Sequence, residues 1–587
     1  MLSQTTEQIS GRGLVPKSLV LAVLYLACLA LSGLLLLAFK DYYAKTWLND
    51  VMGFLDVVSR IRHGQVLYRD FYFFYGPLVA LIPALGVSLG FDGGAMFNFN
   101  AIIVAGLVLL LAVVTMARRL TLPAAILVFL FIWLLIAVPM GEGRPFDEIS
   151  WGTFYNRQGW AALMVIMLFY VEPESVGPAD KWIDAIILSV LVLFEVYTKI
   201  TYGVVAFGFV VANTLVSKYN RSVSLRSMPM ILAIAGLLEA AFPFHAAYWL
   251  NIREFASRAG GGSLGLQQLM SMMIANAGIL VSCFGALIAV RVAGRIQVFD
   301  LLFILGSIVA NVIIRAAIGD NNMGALVALI AVFPCLGELA RRAQARSPAT
   351  TAAPFDRAVR LVPAACLLLA VVFAATEVAN RIVAWENYAR KVAGADSRPL
   401  RVGTLPGSLP ALANFLVYRD SQPNLFDLTA DGAESTLAAV MQTRLTRSPG
   451  EMLTAEEYMR TIIEGTNLLR TVDYHDRTVF TFDMVNPFPY ALDLPPSDSK
   501  YPQFWLVGPY TTDAALLPKP EALIGAPDFV MVPRLPFASA ELRNLMALYG
   551  PYLRQNYERA KQSPHWELWM RKTAAAGGGA PPVNGEP

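Results

Sequence analysis

The sequence predicts a polytopic α-helical membrane protein, with about 11 crossings plus a re-entrant or interfacial segment, followed by a C-terminal extracytoplasmic α/β domain. Its 587 residues are 56% hydrophobic and 15% charged, whereas soluble globular chains are about 25% charged. Apolar runs recur as far as residue 380. Beyond that point apolar residues thin out, and proline, aspartate, glutamate and arginine become more frequent, which indicates a domain boundary.

Twelve apolar segments account for the predicted membrane part. The first follows a basic N-terminus, contains no small-residue cleavage site and is long enough to span, so we expect a retained first helix. Several others are shorter than the about 20 residues that a full crossing needs. The segments lie at 18–39, 75–91, 98–117, 122–139, 157–171, 182–198, 200–217, 229–250, 269–290, 298–315, 323–340 and 359–380.

Basic residues in the short loops predict the orientation of the chain. Arg12 and Lys17 place the N-terminus in the cytoplasm, and the basic segment 340–350 is assigned to the same side. The segment 359–380 then delivers the C-terminal region to the outer face of the cytoplasmic membrane. These assignments agree only if the number of crossings is odd. Because the twelve apolar segments are an even number, one of them does not cross.

The segment that we expect not to cross is 75–91. It is short and interrupted by glycine and proline residues, which is compatible with a re-entrant or interfacial helix. The short segment 157–171 is the alternative. With 75–91 not crossing, the outer loops and the C-terminal region share one face of the membrane.

The C-terminal region has the pattern of an α/β domain over 381–572. Helical spacing at 454–472 and 539–560 alternates with strand-like apolar runs at 477–485 and 528–533. Such alternation favours a small layer of strands and helices.

The chain therefore divides into three parts. These are a transmembrane domain at 1–380 with its first outer loop at 40–74, the α/β domain at 381–572, and a low-complexity tail at 573–587 that we expect to be disordered. The net charge of +3 is too small to indicate a nucleic-acid partner. The four histidines are dispersed, and the cysteines lie in apolar spans, so neither residue type predicts a metal site or a disulfide framework.

The first outer loop contains a charged and aromatic stretch, "WLNDVMGFLDVVSRIRHGQVLYRDFYFFYGPL" (47–78). Apolar residues over 51–61 recur at helical spacing, which predicts a short helix that lies flat at the membrane surface. Asp56 and Arg60 are four residues apart on its polar face and are expected to form a solvated ion pair. Asp50 stands at the N-terminal end, where an aspartate commonly caps a helix.

The same stretch carries a motif, in which an acidic residue after the first helix is followed by Gly-x-x-x-Tyr-x-Asp-Phe and Tyr-Gly-Pro-Leu. The matching residues are Asp50, Gly64, Tyr68, Asp70, Phe71 and 75–78. In this motif, the chain resembles the polyprenol-phosphate-sugar-dependent glycosyltransferases of the GT-C superfamily, which includes protein O-mannosyltransferase-like enzymes. The many spans, charged outer loops and C-terminal domain extend the resemblance to the whole chain.

The resemblance implies an inverting-type transfer of a sugar from a polyprenyl-phosphate-linked donor lipid to a glycan, lipid or protein acceptor at the outer face. Asp50 is then the general base, because a carboxylate near the low-dielectric interface has a raised pKa. Asp70 is a supporting catalytic candidate, and a turn residue is its alternative. Asn49 precedes Asp50, so the doubled acidic motif of some members is absent; no cofactor is assigned, and a divalent metal stays an open alternative.

The leaving phosphate needs cationic partners at membrane depth. Lys199, at the outer ends of two apolar segments, is the first candidate. Its alternatives are snorkelling to the interface and a pair with Glu195. Arg157 is the second candidate, and Arg253, Arg258 and Arg315 are weaker ones.

Other polar and aromatic residues are assigned to substrate binding. Arg144 and Asn156 lie in the same outer loop as Arg157, among aromatic residues that include Tyr155. Tyr68 and Tyr75 come from the motif. Aromatic rings beside amide and guanidinium groups suit a sugar, although aromatic belts occur at any membrane interface.

Two other functions stay open at this point. A transporter or flippase for a lipid or polysaccharide would favour internal repeats, and we recognise none in the sequence. A non-catalytic protein of envelope-polysaccharide assembly could have kept the fold without the chemistry.

Overall fold

The computed structural model describes residues 16–38, 41–44, 48–138, 150–177, 179–258, 298–318, 323–345, 400–417, 454–483, 485–502, 518–534 and 540–572, together with parts of 361–386. The protein is mostly helical and divides into two compact units. The helical unit comprises Met1–Thr46, Tyr75–Tyr248 and Ser263–Pro399, and the mixed unit comprises Trp47–Phe74, Trp249–Gly262 and Leu400–Pro587.

The elements up to residue 345 are nearly all helices. They are α1 (Lys17–Ala38), β1 (Tyr42–Ala44), α2 (Leu48–Arg62), α3 (Leu78–Ser88), α4 (Gly94–Arg119), α5 (Leu122–Ala137), α6 (Trp151–Met167), α7 (Asp180–Thr198), α8 (Ile200–Val216), α9 (Lys218–Ala241), α10 (His245–Arg258), α11 (Val298–Ile318) and α12 (Met323–Ala345). Of these, α2 and the later part of α10 belong to the mixed unit.

Helix length limits what can cross a membrane. Among the described residues, three helices are long and apolar enough, at Lys17–Leu37, Gly94–Arg119 and Lys218–Ala241, and shorter apolar helices lie at Leu78–Ser88, Leu122–Ala137, Ile200–Val216 and Leu302–Asn311. With 11 residues, α3 is about 16 Å long, about half of the hydrocarbon thickness. That length suits the expectation that 75–91 does not cross, and the count of about 11 crossings stays a prediction.

Helix α6 lies in the interior of the helical unit, since almost all of its side chains are buried. A helix that is buried on every side is normally apolar all round. However, Asn156, Arg157 and Gln158 are buried here as well. Polar side chains buried inside a helix of a mainly apolar unit are candidates for function.

Buried ion pairs join the ends of α4, α7 and α12. Asp184 accepts hydrogen bonds from Arg118, at 2.8 Å, and from Arg119. Arg342 pairs with Glu338 at 2.6 Å and donates to the carbonyl of Arg119 at 2.9 Å. The basic ends of α4 and α12 therefore lie at one end of the helical unit.

The mixed unit contains a small sheet with helices. Its further elements are β2 (Leu400–Arg401), β3 (Phe415–Val417), α13 (Ala455–Leu469), β4 (Val479–Thr481), α14 (Phe488–Leu492), α15 (Pro520–Ile524), β5 (Phe529–Pro533), α16 (Ala540–Asn556), β6 (Tyr557–Gln562) and β7 (Trp566–Arg571). The main sheet has the order β4-β5-β7-β6, with β4 parallel to β5 and the other pairs antiparallel. β2 pairs antiparallel with β3.

One predicted helix of this unit is confirmed, and one is partly wrong. The helix predicted at 454–472 is α13, which begins with a capping box between Thr454 and Glu457. The helix predicted at 539–560 ends at Asn556, and the chain continues as β6. Pairing of β6 with the later strand β7 decides this boundary, and local spacing does not reveal such pairing.

Candidate functional site

The break between α7 and α8 carries Lys199. This residue has an extended backbone, with φ −161° and ψ 129°, and separates the two helices. Its N–H donates to the carbonyl of Glu195 at 2.9 Å, which closes the last turn of α7. The position is the predicted one, at a junction of apolar helices and at the end of α7 opposite to Asp184.

Two tyrosine rings flank the Lys199 ammonium. Its Nζ lies 5.8 Å from the ring centroid of Tyr75 and 5.7 Å from that of Tyr155. The two ring centroids are 5.0 Å apart. Separations within about 6 Å give an electrostatic cation–π attraction. The structure therefore brings together three side chains from three separate segments, of which the sequence had suggested Lys199 and Tyr75 for binding.

The Tyr-Gly-Pro-Leu motif docks on the same break. The N–H of Gly76 donates to the carbonyl of Thr198 at 3.1 Å. A Cβ at position 76 would lie 2.0 Å from the carbonyl oxygen of Tyr197, so the two backbones approach this closely only because residue 76 is glycine. The motif thus has a positional role, because it places Tyr75 beside Lys199.

Helix α6 contributes polar groups next to Tyr155. Asn156 is 4% exposed and Arg157 is fully buried. The hydroxyl of Tyr202 in α8 donates to the carbonyl of Asn156 at 3.0 Å, which places Asn156 close to the start of α8. The Oδ1 of Asn156 is buried and has no hydrogen-bond partner among the described residues. Buried polar atoms normally have one, so this oxygen suits a hydroxyl of a ligand or a water.

Glu195 lies one turn before Lys199 and is fully buried. Within the described part of the chain, neither of its carboxyl oxygens has a hydrogen-bond partner. The alternative in which Glu195 pairs with Lys199 through a hydrogen bond is therefore not observed there. A carboxyl group in this setting is costly when ionised.

In the mixed unit, Asp50 lies in the first turn of α2. The helix begins at Leu48, two residues earlier, so Asp50 is inside the helix and is not its N-cap. The side chain is half-buried. The positive end of the helix dipole lies at this position and attracts a negatively charged side chain.

The predicted solvated face of α2 is wrong. Asp56, Ser59 and Arg60 are all buried. The Asp56–Arg60 ion pair is confirmed at 3.0 Å, but Arg60 also donates to the carbonyls of Ser497 and Ser499, at 3.2 and 3.0 Å. The C-terminal region thus covers this face, and α2 is an internal element of the mixed unit. The place of α2 at the membrane surface stays a prediction. Burial raises the pKa of Asp56, and its bond with Arg60 opposes that rise.

The Gly-x-x-x-Tyr-x-Asp-Phe motif ends α2 and reverses the chain. Gly64 has φ +88°, the left-handed conformation that terminates helices, and Tyr68 has φ +68° with a buried ring. Asp70 accepts from the N–H of Val66 at 2.6 Å and from Arg69 at 2.8 Å. The hydrogen bonds from Arg69 hold the pKa of Asp70 below its ordinary value. This geometry favours the turn role of Asp70, since a base for neutral pH is better served by a raised pKa.

The structure does not describe several of the residues that the sequence suggested for binding. Arg144 lies outside the described residues, as do the side chains of Arg258 and Arg315. Arg253 is exposed. In the described part of the chain, no three His, Cys, Asp or Glu side chains are placed to hold a metal ion.

Sequence reasoning gave no weight to Tyr197 or His245. Tyr197 lies two residues before Lys199, and its hydroxyl lies 2.8 Å from the Nε2 of His245. The available signal was one histidine at the start of a helix, which alone is more often structural than functional.

Comparisons with known proteins give structural matches alone. No protein-family model matches the chain, and no curated protein matches it. The chain is similar to the crystal structure of ArnT from Cupriavidus metallidurans bound to undecaprenyl phosphate, with 12% identity and a TM-score of 0.41 over 96% of this chain and 99% of that one. It is also similar to the apo structure of that protein, with 12% identity and a TM-score of 0.39 over 94% and 97%. Similarity at this level assigns no ligand to the present chain.

Proposed function

We propose that the chain is a GT-C-type glycosyltransferase of the cytoplasmic membrane, which transfers a sugar from a polyprenyl-phosphate-linked donor to a glycan, lipid or protein acceptor at the outer face. The observation that carries the proposal is the Lys199 ammonium, held between Tyr75 and Tyr155 at a junction of apolar helices. A cation in this place suits an anion that arrives through the membrane, such as the phosphate of a polyprenyl lipid.

The proposed reaction is a single displacement. The acceptor hydroxyl gives its proton to the Asp50 carboxylate, and its oxygen forms a bond to the anomeric carbon on the face opposite to the phosphate. The bond between that carbon and the phosphate oxygen breaks, and the polyprenyl phosphate leaves with the electron pair. Attack from the opposite face inverts the configuration of the sugar.

Charge develops on the phosphate as the sugar leaves. Lys199 and the buried Arg157 are the groups that we assign to stabilise it, because fixed cations in a water-poor site act more strongly than they do in water. The buried Oδ1 of Asn156 is assigned to a sugar hydroxyl. Asp70 is kept as a residue that shapes the loop after α2.

The test uses full-length protein and two matched pairs of variants. Asp50→Asn should lower the rate of transfer by about 10²- to 10⁴-fold, whereas Asp473→Asn, at an exposed aspartate of the mixed unit, should not. Lys199→Ala should weaken binding of undecaprenyl phosphate about tenfold, whereas Lys218→Ala, at the exposed start of α9, should leave it unchanged.

Two results would contradict this assignment. Wild-type transfer by a normally expressed Asp50→Asn variant would remove the proposed base. Movement of lipid between leaflets of proteoliposomes, with no sugar transfer from any polyprenyl-phosphate-linked donor, would favour a transporter instead.

A further inference from the structure

Three side chains from three elements form a hydrogen-bonded chain that begins at Tyr197, two residues before Lys199. The hydroxyl of Tyr197, in the last turn of α7, lies 2.8 Å from the Nε2 of His245 at the start of α10. The Nδ1 of the same histidine lies 2.7 Å from Oε2 of Glu239, near the end of α9. All three residues belong to the helical unit.

The hydrogen-bond directions follow from the groups around Glu239. Its Oε2 accepts from the backbone N–H groups of Phe244 and His245, at 2.9 and 3.0 Å. An oxygen that receives two N–H donors acts as an acceptor for the ring as well, so His245 carries its proton on Nδ1. The Nε2 lone pair then accepts from the Tyr197 hydroxyl, and Glu239 fixes the tautomer that makes this possible.

Other bonds hold the same turn of α7. The last carbonyls of a helix have no partner inside it. Here the carbonyl of Val196 accepts from the hydroxyl of Tyr248 at 3.0 Å, and that of Thr198 accepts from Gly76. The backbone at Lys199 is extended, so the position of its long side chain depends on how firmly this turn is held.

We propose that His245 and Glu239 are positioning residues for Lys199, and that they act through Tyr197. Glu239 orients the imidazole, the imidazole holds the Tyr197 hydroxyl, and Tyr197 fixes the turn from which Lys199 extends. The inference rests on the proposed function only for what Lys199 binds. Small displacements of a binding cation are costly to catalysis. A hydrogen-bonded chain that fixes the position of Lys199 therefore supports its proposed role.

The test separates the two ring nitrogens of His245. In His245→Gln the amide reaches the place of Nε2 and keeps the contact with Tyr197, whereas in His245→Asn it reaches only the place of Nδ1. Tyr197→Phe removes the hydroxyl alone. Tyr25→Phe is the matched control, because it removes a tyrosine hydrogen bond to the carbonyl of Gly106, elsewhere in the helical unit.

Two measurements are made on each full-length variant. One is the rate at which Lys199 is acetylated by an amine-directed reagent, followed by mass spectrometry without any substrate. The other is the affinity for undecaprenyl phosphate in detergent. We expect Tyr197→Phe and His245→Asn each to change the acetylation rate and to weaken binding about fivefold. His245→Gln should show a smaller effect, because it keeps the contact with Tyr197 and loses only the bond to Glu239, and Tyr25→Phe should behave like wild type.

Unchanged acetylation and binding in both Tyr197→Phe and His245→Asn would overturn the inference. Equal losses in His245→Gln and His245→Asn would also overturn it, because packing of the imidazole would then be its whole contribution. The acetylation rates are independent of sugar transfer. A wild-type protein that transfers no sugar and binds no polyprenyl phosphate would therefore refute the proposed function while leaving this test intact.

Discussion

The backbone N–H of Gly76 donates a hydrogen bond to the carbonyl of Thr198. This contact joins the Tyr-Gly-Pro-Leu motif to the last turn of α7, one residue before Lys199. It explains why the motif contains glycine next to tyrosine, since the glycine permits the approach and the tyrosine then flanks the ammonium.

Gly76→Ala should disturb the break between α7 and α8. The added Cβ would lie 2.0 Å from the carbonyl oxygen of Tyr197, so one backbone must move, at a cost of about 1–3 kcal/mol. We expect a lower melting temperature and weaker binding of undecaprenyl phosphate. Gly208→Ala is the control, because a Cβ there meets nothing within 4 Å. Equal behaviour of the two variants would contradict the proposed docking.

Two buried acids of α7 should respond in opposite ways to replacement by their amides. Asp184 is bonded to Arg119 and to the hydroxyl of Tyr219, so Asp184→Asn leaves a buried guanidinium uncompensated and should cost about 3–5 kcal/mol. Glu195→Gln breaks no hydrogen bond of the described residues and should leave the melting temperature unchanged or higher. Thermal unfolding in detergent compares them, and an equal loss in both would show that Glu195 carries a structural bond.

Arg60→Met should make stability depend on pH in a defined direction. Burial already raises the pKa of Asp56, and loss of the guanidinium removes the bond that opposes this rise. When the folded-state pKa is raised, the folded protein keeps a proton that the unfolded chain has lost. That stabilising contribution is present at low pH and is lost as pH rises through the folded-state pKa.

The melting temperature of Arg60→Met is measured at several pH values between about 5 and 8. We expect a loss of about 3–5 kcal/mol at the upper end and a smaller loss at the lower end. Combining it with Asp56→Asn removes the titrating group and should remove the added pH dependence. A loss in Arg60→Met that is the same at every pH would contradict the role of Asp56.

The predicted orientation is tested in sealed inside-out membrane vesicles. The C-terminal region should resist added protease there, while the basic segment 340–350 should be cleaved. Detergent should expose both, which provides the control for protease activity. Cleavage of the C-terminal region without detergent would contradict the odd number of crossings, and with it the outer location of the proposed reaction.

Local sequence patterns predicted the secondary-structure elements better than they predicted what packs against those elements. The apolar spacing over 51–61 predicted a helix, and α2 is that helix. The same spacing left Asp56 and Arg60 on an apparently free polar face, yet Arg60 bonds to Ser499, 439 positions later. Partners so far along the chain leave no local signal, because periodicity reports which residues share a face and not what covers it.

In the candidate site too, the sequence indicated individual residues but not which of them are neighbours. Lys199 stood out in the sequence because a lysine between apolar segments is costly, and Tyr75 stood out because it belongs to a motif. Neither feature indicated that they are neighbours. Gly76 and Thr198 bring them together through a backbone hydrogen bond, and such contacts depend on the packing of α3 against α7.

By itself, the sequence determined the membrane class, the predominance of helices, the break at Lys199 and the motif that contains Tyr75 and Gly76. These properties follow from hydropathy, spacing and residue type, which act over a few turns of chain. Only the tertiary structure decided the burial of α2, the strand at Tyr557–Gln562 and the chain from Glu239 through His245 to Tyr197. Each of these depends on hydrogen bonds and packing between segments that are distant in sequence, where specificity comes from complementary surfaces rather than from local preference.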